Sequence, residues 1–183
     1  MDKVSLRKHI RTLKSALSEE QKLMEADAVF SAIERMPHFI KANAILLYYS
    51  LPDELPTHKI VSKWATSKKV YLPRVAGDSL EIAPFGQLAK ESRYGIEEPV
   101  SPPVSPSVID LVIVPAVALD PHGNRLGRGK GYYDRFLPLC QGAYTIGVSF
   151  DCQLIDNLPT EPFDVPLDAV VTASNTIIIS SSK

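Results

Sequence analysis

The sequence predicts a layered α/β/α protein with a mostly parallel, Rossmann-like central sheet. Three observations carry this. Two amphipathic helical segments open the chain, short apolar runs of strand length then alternate with helical stretches, and the chain of 183 residues is long enough to bury a sizeable core. At about 150 residues per domain the expectation is one domain over residues 1–183.

The first helix is read from Leu6, Ile10, Leu13 and Leu17, an apolar stripe at helical spacing, with Lys3, Arg7, Arg11 and Lys14 assigned to the opposite side. Ser18 opens a second helix, and Gln21 three residues on completes a capping box. Its stripe is Leu23, Ala26, Phe30 and Ile33, and Pro37 is expected to stop it. Ala44–Tyr49 is a continuous apolar run too short for a helix and reads as a buried strand. The loop SLPDELP follows, and Thr57 is the expected N-cap of a helix burying Ile60, Val61 and Trp64. Val70–Leu72 is a short strand ended by Pro73, and Leu80–Phe85, which contains Pro84, reads as an edge strand.

Four prolines between Pro99 and Pro106 make a stiff surface connection. Val108–Val114 is the most apolar strand. A loop rich in glycine and arginine leads to a helix from about Tyr132, and Tyr144–Phe150, Ala169–Thr172 and Thr176–Ile179 are further strands.

Composition narrows the function. Twenty Lys and Arg against twenty-one Asp and Glu give a net charge of −1, which disfavours a nucleic-acid or membrane-surface binder. Two cysteines, Cys140 and Cys152, make no disulfide framework and suit reduced thiols. The segment MDKVSLRKHIRTLK has no apolar secretory core, and the longest apolar run, Leu111–Leu119, is about half a membrane span and is broken by Pro115. A cytoplasmic protein without an obligate protein partner is expected.

The informative segment is Asp120–Asp134, DPHGNRLGRGKGYYD. Four of the nine glycines lie at 123, 127, 129 and 131. Without Cβ atoms, successive backbone N–H groups can approach an anion closely, and Arg125, Arg128 and Lys130 add charge among them. The loop joins a buried strand to a helix start, where ligands bind in open α/β sheets. It is neither of two familiar nucleotide loops. Lys130 is followed by Gly131 rather than Ser or Thr, and the residue five before Gly129 is Asn124. In the G-x-G-x-x-G pattern the third glycine falls on Asp134. Beyond Arg135 no Lys or Arg occurs until Lys183, while Asp151, Asp156, Glu161, Asp164 and Asp168 do, so a basic loop is followed by an acidic segment that suits a divalent cation beside phosphate. The histidines at 9, 38, 58 and 122 show no metal-ligand spacing.

The segment VPAVALDPHGNRLGRGKGYYDRFL resembles the signature of the 5-formyltetrahydrofolate cyclo-ligase family, also called methenyltetrahydrofolate synthetases. KVSLRKHIR, YYSLPDELPT, YLPRV, YGIEEP and LDAVVT are similar to other family segments in the same order. Ala116 departs from the family's usual glycine, and Tyr94 stands where relatives carry another aromatic residue.

The resemblance implies an enzyme that converts 5-formyltetrahydrofolate to 5,10-methenyltetrahydrofolate with ATP and Mg²⁺. It implies that ATP is held by Lys3, Arg7 and the run Arg125, Leu126, Gly127, Arg128, Gly129, Lys130, Gly131, Tyr132 and Tyr133, with Lys130 and Arg128 in the catalytic step. The folate would lie against Tyr49 and Glu54 and share Arg128 to Tyr132 with the nucleotide. Mg²⁺ would fall to Asp134 and Asp164, with Asp168 in reserve. Two other readings of the loop are a phosphate-ligand enzyme, such as a sugar-phosphate isomerase or coenzyme A transferase, and a non-enzymatic anion-binding module.

Overall fold

The computed structural model describes residues 1–89 and 97–179. Tyr94, singled out from the sequence, lies outside them.

Helix α1 (Lys3–Ser15) is capped by Asp2, whose carboxylate accepts from the N–H groups of Val4 and Ser5. It buries Leu6 and Ile10, but Leu13 is exposed and Lys14 is buried. The cations therefore flank the apolar stripe and do not oppose it. Helix α2 (Glu19–Glu34) has the expected capping box at Ser18 and Gln21 and buries Ala26, Val29, Phe30 and Ile33, whereas Leu23 is exposed. Pro37 does more than end a helix. It sits in the first turn of α3 (Pro37–Lys41), where its missing N–H costs nothing.

Strand β1 (Ala44–Leu46) is shorter than the apolar run, whose remainder enters the SLPDELP loop. Thr57 does precede helix α4 (His58–Trp64), but its side chain does not cap it. The hydroxyl donates to Tyr48 O and accepts from Ser50 N, tying the end of β1 to the start of α4. Strand β2 (Lys69–Ala76) runs through Pro73 because β1 pairs with it only as far as Tyr71, so no parallel ladder bond is lost there. Strand β3 (Ser79–Pro84) is the expected edge strand. Two short strands follow, β4 (Leu88–Ala89) and β5 (Glu98–Pro99), then β6 (Leu111–Pro115). Within the glycine-rich segment a small hairpin forms from β7 (Ala118–Leu119) and β8 (Arg125–Leu126). Helix α5 (Tyr132–Phe136) and strands β9 (Tyr144–Val148), β10 (Ala169–Val171) and β11 (Thr176–Ile178) complete the order.

The large sheet runs β11-β10-β9-β6-β1-β2-β3 among the described residues. Its four inner pairings are parallel, and the outer pairings β2·β3 and β10·β11 are antiparallel. Alternate strand residues face two cores. Ile45, Leu47, Leu111, Ile113 and Ile146 pack with Phe30, Phe39 and Trp64 under α2, α3 and α4. Leu46, Val112, Val114 and Val170 pack with Phe136 and Leu137 on the other face. Cys140 and Cys152 are free, and no helix among the described residues is long and apolar enough to cross a membrane.

This winding places the site. From β1 the chain moves to β2 on one side, and from β6 it moves to β9 on the other. The carboxyl ends of β1 and β6 therefore diverge, and the crevice between them is the switch point at which open α/β sheets bind ligands.

Candidate active site

A cleft of about 470 Å³ opens at that switch point, with Tyr48 and Tyr49 beyond β1 on one side and Pro115–Val117 at the end of β6 on the other. The base of the glycine-rich wall is fixed by Asp120, which is fully buried. Its carboxylate accepts from His122 N, Asn124 N, Asn124 Nδ2 and Leu158 N at 2.9–3.0 Å. Four donors on one carboxylate close the DPHGN turn and set the hairpin that launches Arg125 into the cleft.

Beyond Arg125 the backbone needs glycine. Gly129 has φ +97° and Gly131 has φ +65°, both in the left-handed region that side chains disfavour. Each of three glycines also faces a guanidinium. A Cβ at Gly127 would lie 3.3 Å from Arg125 Nη1, one at Gly129 would lie 3.5 Å from Arg7 Nη2, and one at Gly131 would lie 2.8 Å from Arg135 Nη1. Bare backbone interleaved with cations is suited to a polyanion. Arg7 Nε also donates to Gly127 O at 2.8 Å, so the first helix is joined to the loop.

The opposite wall is the SLPDELP loop. Glu54 accepts from Leu51 N at 2.9 Å with one oxygen and from Arg128 Nη2 at 3.1 Å with the other. Arg128 Nη2 also donates to Asp53 at 2.6 Å, and Lys14 Nζ reaches the same carboxylate at 2.7 Å. Burial raises the Asp53 pKa, but the hydrogen bonds from Lys14 and Arg128 outweigh it and hold it at about 2. The Tyr49 ring meets His58 edge-on at 4.0 Å, and its hydroxyl donates to Glu97 at 3.3 Å. Burial first, then the Glu97 charge, pushes the Tyr49 hydroxyl above its usual pKa.

The mouth is closed by α1 and the acidic segment. Lys3 Nζ lies 2.8 Å from Asp164 and 2.6 Å from Glu161. Burial works against this ammonium, but the two carboxylates more than offset it and raise its pKa. Arg125, almost wholly buried, pairs with Asp134 at 2.5 Å and keeps its Nε without a partner among the described residues. Its guanidinium also lies 5.7 Å from the centre of the Tyr133 ring.

The residues named from sequence converge on this one cleft. Lys3, Arg7, Tyr49, Glu54, the whole run Arg125–Tyr133, Asp134 and Asp164 line it. Asp168 does not, because its carboxylate accepts from Thr145 N and Oγ1 and so fastens β10 to β9. Asp134 and Asp164 face the cleft with the oxygen chemistry that Mg²⁺ takes, yet each is bound to a cation, Arg125 and Lys3 respectively. No group of three or more metal-capable side chains exists among the described residues, and Mg²⁺ commonly takes only one or two carboxylates besides phosphates and water. The donor set therefore fits Mg²⁺ arriving with a nucleotide, whose phosphates would compete for the same arginine and lysine.

Sequence reasoning missed several residues of the cleft. Arg74 is held by Glu81 and by the carbonyls of Pro99 and Ser101, and Arg135 bridges Lys130 O and Asp78 O. Phe163 lines the mouth beside Glu161, which the sequence marked only as part of the acidic segment. Arg135 is the one that spacing could have found, since it lies four residues after Gly131 on α5.

Residues 1–173 match the model of the 5-formyltetrahydrofolate cyclo-ligase family. The chain is 36% identical over 177 residues to the 5-formyltetrahydrofolate cyclo-ligase of Escherichia coli, covering 90% of this chain and 97% of the relative. It is 32% identical over 173 residues to that of Haemophilus influenzae, covering 88% and 92%. Among solved structures it is similar to Aquifex aeolicus 5,10-methenyltetrahydrofolate synthetase, with TM-score 0.89 and 32% identity over 100% of this chain and 95% of the other.

Proposed function

The chain belongs to the 5-formyltetrahydrofolate cyclo-ligase family, and from that premise we propose that it is a single-domain, cytoplasmic enzyme closing 5-formyltetrahydrofolate to 5,10-methenyltetrahydrofolate with ATP and Mg²⁺. The observation that carries the details is the contact through Arg128. This residue of the glycine-rich loop bonds both Asp53 and Glu54 of the opposite loop, so the phosphate site proposed on one wall and the folate site proposed on the other meet at one side chain.

The chemistry needs that closeness. The formyl group on N5 is an amide, and its oxygen is a poor leaving group. Attack of that oxygen on the γ-phosphorus of ATP forms an O–P bond, breaks the P–O bond to ADP and leaves the formyl carbon bearing phosphate. The N10 lone pair then attacks this carbon. The C–O bond breaks, phosphate leaves and N10 loses its proton, giving the methenyl bridge. The nucleophile is tethered in the substrate, so the protein supplies position and charge.

The backbone N–H groups of Gly127, Gly129 and Gly131 are the donors offered to phosphates, with Lys3, Arg7 and Arg125 balancing charge. Among the described residues Lys130 has no carboxylate within ion-pair distance, which leaves its ammonium available to the transferring phosphoryl group, with Arg128 beside it. Tyr49 and Tyr132 offer faces to the pterin ring, and Glu54 offers an acceptor to its N–H edge. Mg²⁺, held by Asp134 and Asp164, would neutralise phosphate charge.

Purified protein should form the methenyl chromophore only when 5-formyltetrahydrofolate, ATP and Mg²⁺ are all present. Product without ATP, or none under any condition, overturns the reading.

A further inference from the structure

Helix α1 carries three cations on one side, and each reaches a different loop. Lys3 binds the acidic segment through Asp164 and Glu161, Arg7 binds Gly127 O, and Lys14 binds the SLPDELP loop at Asp53. At 3.6 residues per turn the three lie within about 40° of one another around the helix. The same helix is anchored through Leu6 and Ile10, which pack on Ala118, Leu126 and Leu158, so it rides on the hairpin that carries Arg125.

Lys14 differs from the other two. Its side chain is only 7% exposed, and it does not line the cleft. A buried ammonium without partners is costly, so the place where its donors go is informative. Nζ donates at 2.7 Å to the Asp53 carboxylate and at 2.7 Å to the Asp53 carbonyl, so both bonds end on one residue. That residue holds Arg128 through its other oxygen, and Arg128 holds Glu54. The chain of contacts is Lys14, Asp53, Arg128, Glu54, and only its last two members line the cleft.

We infer that Lys14 is a positioning residue for the folate half of the reaction, fixing Asp53 so that Arg128 and Glu54 are presented together. The inference rests on the proposed function. Because Lys14 contacts neither substrate, its removal acts on folate binding through the loop and leaves the nucleotide contacts of Lys3 and Arg7 in place.

Lys14→Met keeps the side-chain length and removes the charge, and Lys14→Arg is the conservative variant. The folate KM of Lys14→Met is expected to rise about tenfold, the lower end of what a hydrogen bond to a charged group is worth. The ATP KM should rise far less, because Arg128 is only one of the nucleotide contacts and Lys3, Arg7 and Arg125 keep their places, and Lys14→Arg should recover most of the loss. In ligand-free protein, amide exchange at Leu51 and Glu54, which bond within the loop, should quicken in Lys14→Met. An unchanged folate KM, a parallel rise in both KM values, no recovery by arginine or unchanged exchange at 51–54 would overturn the inference. If Lys14→Met does not fold, Asp53→Asn on a half-exposed carboxylate takes the same two readouts. A wild type inactive on 5-formyltetrahydrofolate sinks the proposed function, and the exchange measurement then tests the fastening alone.

Discussion

Asp134→Asn separates the two jobs given to that carboxylate. It keeps the shape of the side chain and removes the charge facing Arg125, whose side chain is only 3% exposed. Breaking a buried ion pair costs about 3–5 kcal/mol. The lower figure applies, because Asp134 is itself 18% exposed and the amide oxygen can still accept from the guanidinium. At roughly 2–4 °C per kcal/mol for a chain of this size, the melting temperature should fall by about 6–12 °C. The uncompensated Arg125, with Nε already unpartnered, then becomes a better anion site. ATP without metal should raise the melting temperature of Asp134→Asn more than that of the wild type, whose carboxylate repels phosphate. With Mg²⁺ present the order should invert, because only the wild type offers the metal its carboxylate. Thermal melts of both proteins with and without ATP and Mg²⁺ are the assay. An unchanged melt of the variant, or a metal-free ATP shift no larger than the wild type's, refutes the exchange of partners at Arg125.

Three further outcomes are expected. Lys130→Ala should lower kcat by roughly 10²–10³, as for a lost transition-state donor, with an unchanged melt because the lysine is exposed in a loop; steady-state kinetics with a wild-type kcat would remove its catalytic role. Glu54→Gln should raise the folate KM roughly ten- to a hundredfold and the ATP KM far less, since it weakens one charge-assisted contact, and kinetics on both substrates measure the split. Asp53 is depressed from 3.8 to about 2, so the unfolded chain binds its proton first as pH falls. Its stabilisation is therefore complete above pH 4 and lost toward pH 2, and the melting difference between wild type and Asp53→Asn should shrink over that window in acid melts.

Much of this was legible in the sequence where the signal is local. The Ser18–Gln21 box marked the start of α2, and apolar runs marked the inner strands because both faces of a parallel sheet are buried. The glycine pattern marked the loop because Gly129 and Gly131 adopt conformations that few other residues tolerate. What escaped is non-local. The strands β7 and β8 have two residues each, too short for any period, and they are set by Asp120, which bonds across the turn to Asn124 and also to Leu158, 38 positions away. Lys14 reads as a solvated charge because its partner lies 39 positions away. Pro73 looked like a strand end because sequence does not show that β1 has already stopped pairing there.

In the proposed reaction the cleft brings the formyl oxygen to the γ-phosphorus and then releases it as phosphate. This transfer is tested most directly with 5-formyltetrahydrofolate carrying a heavy-oxygen label in the formyl group. After one round of turnover with ATP and Mg²⁺, mass spectrometry of the inorganic phosphate should find the label there in full. Unlabelled phosphate, with the label recovered in water, would contradict transfer to the formyl oxygen, whatever the rate of product formation.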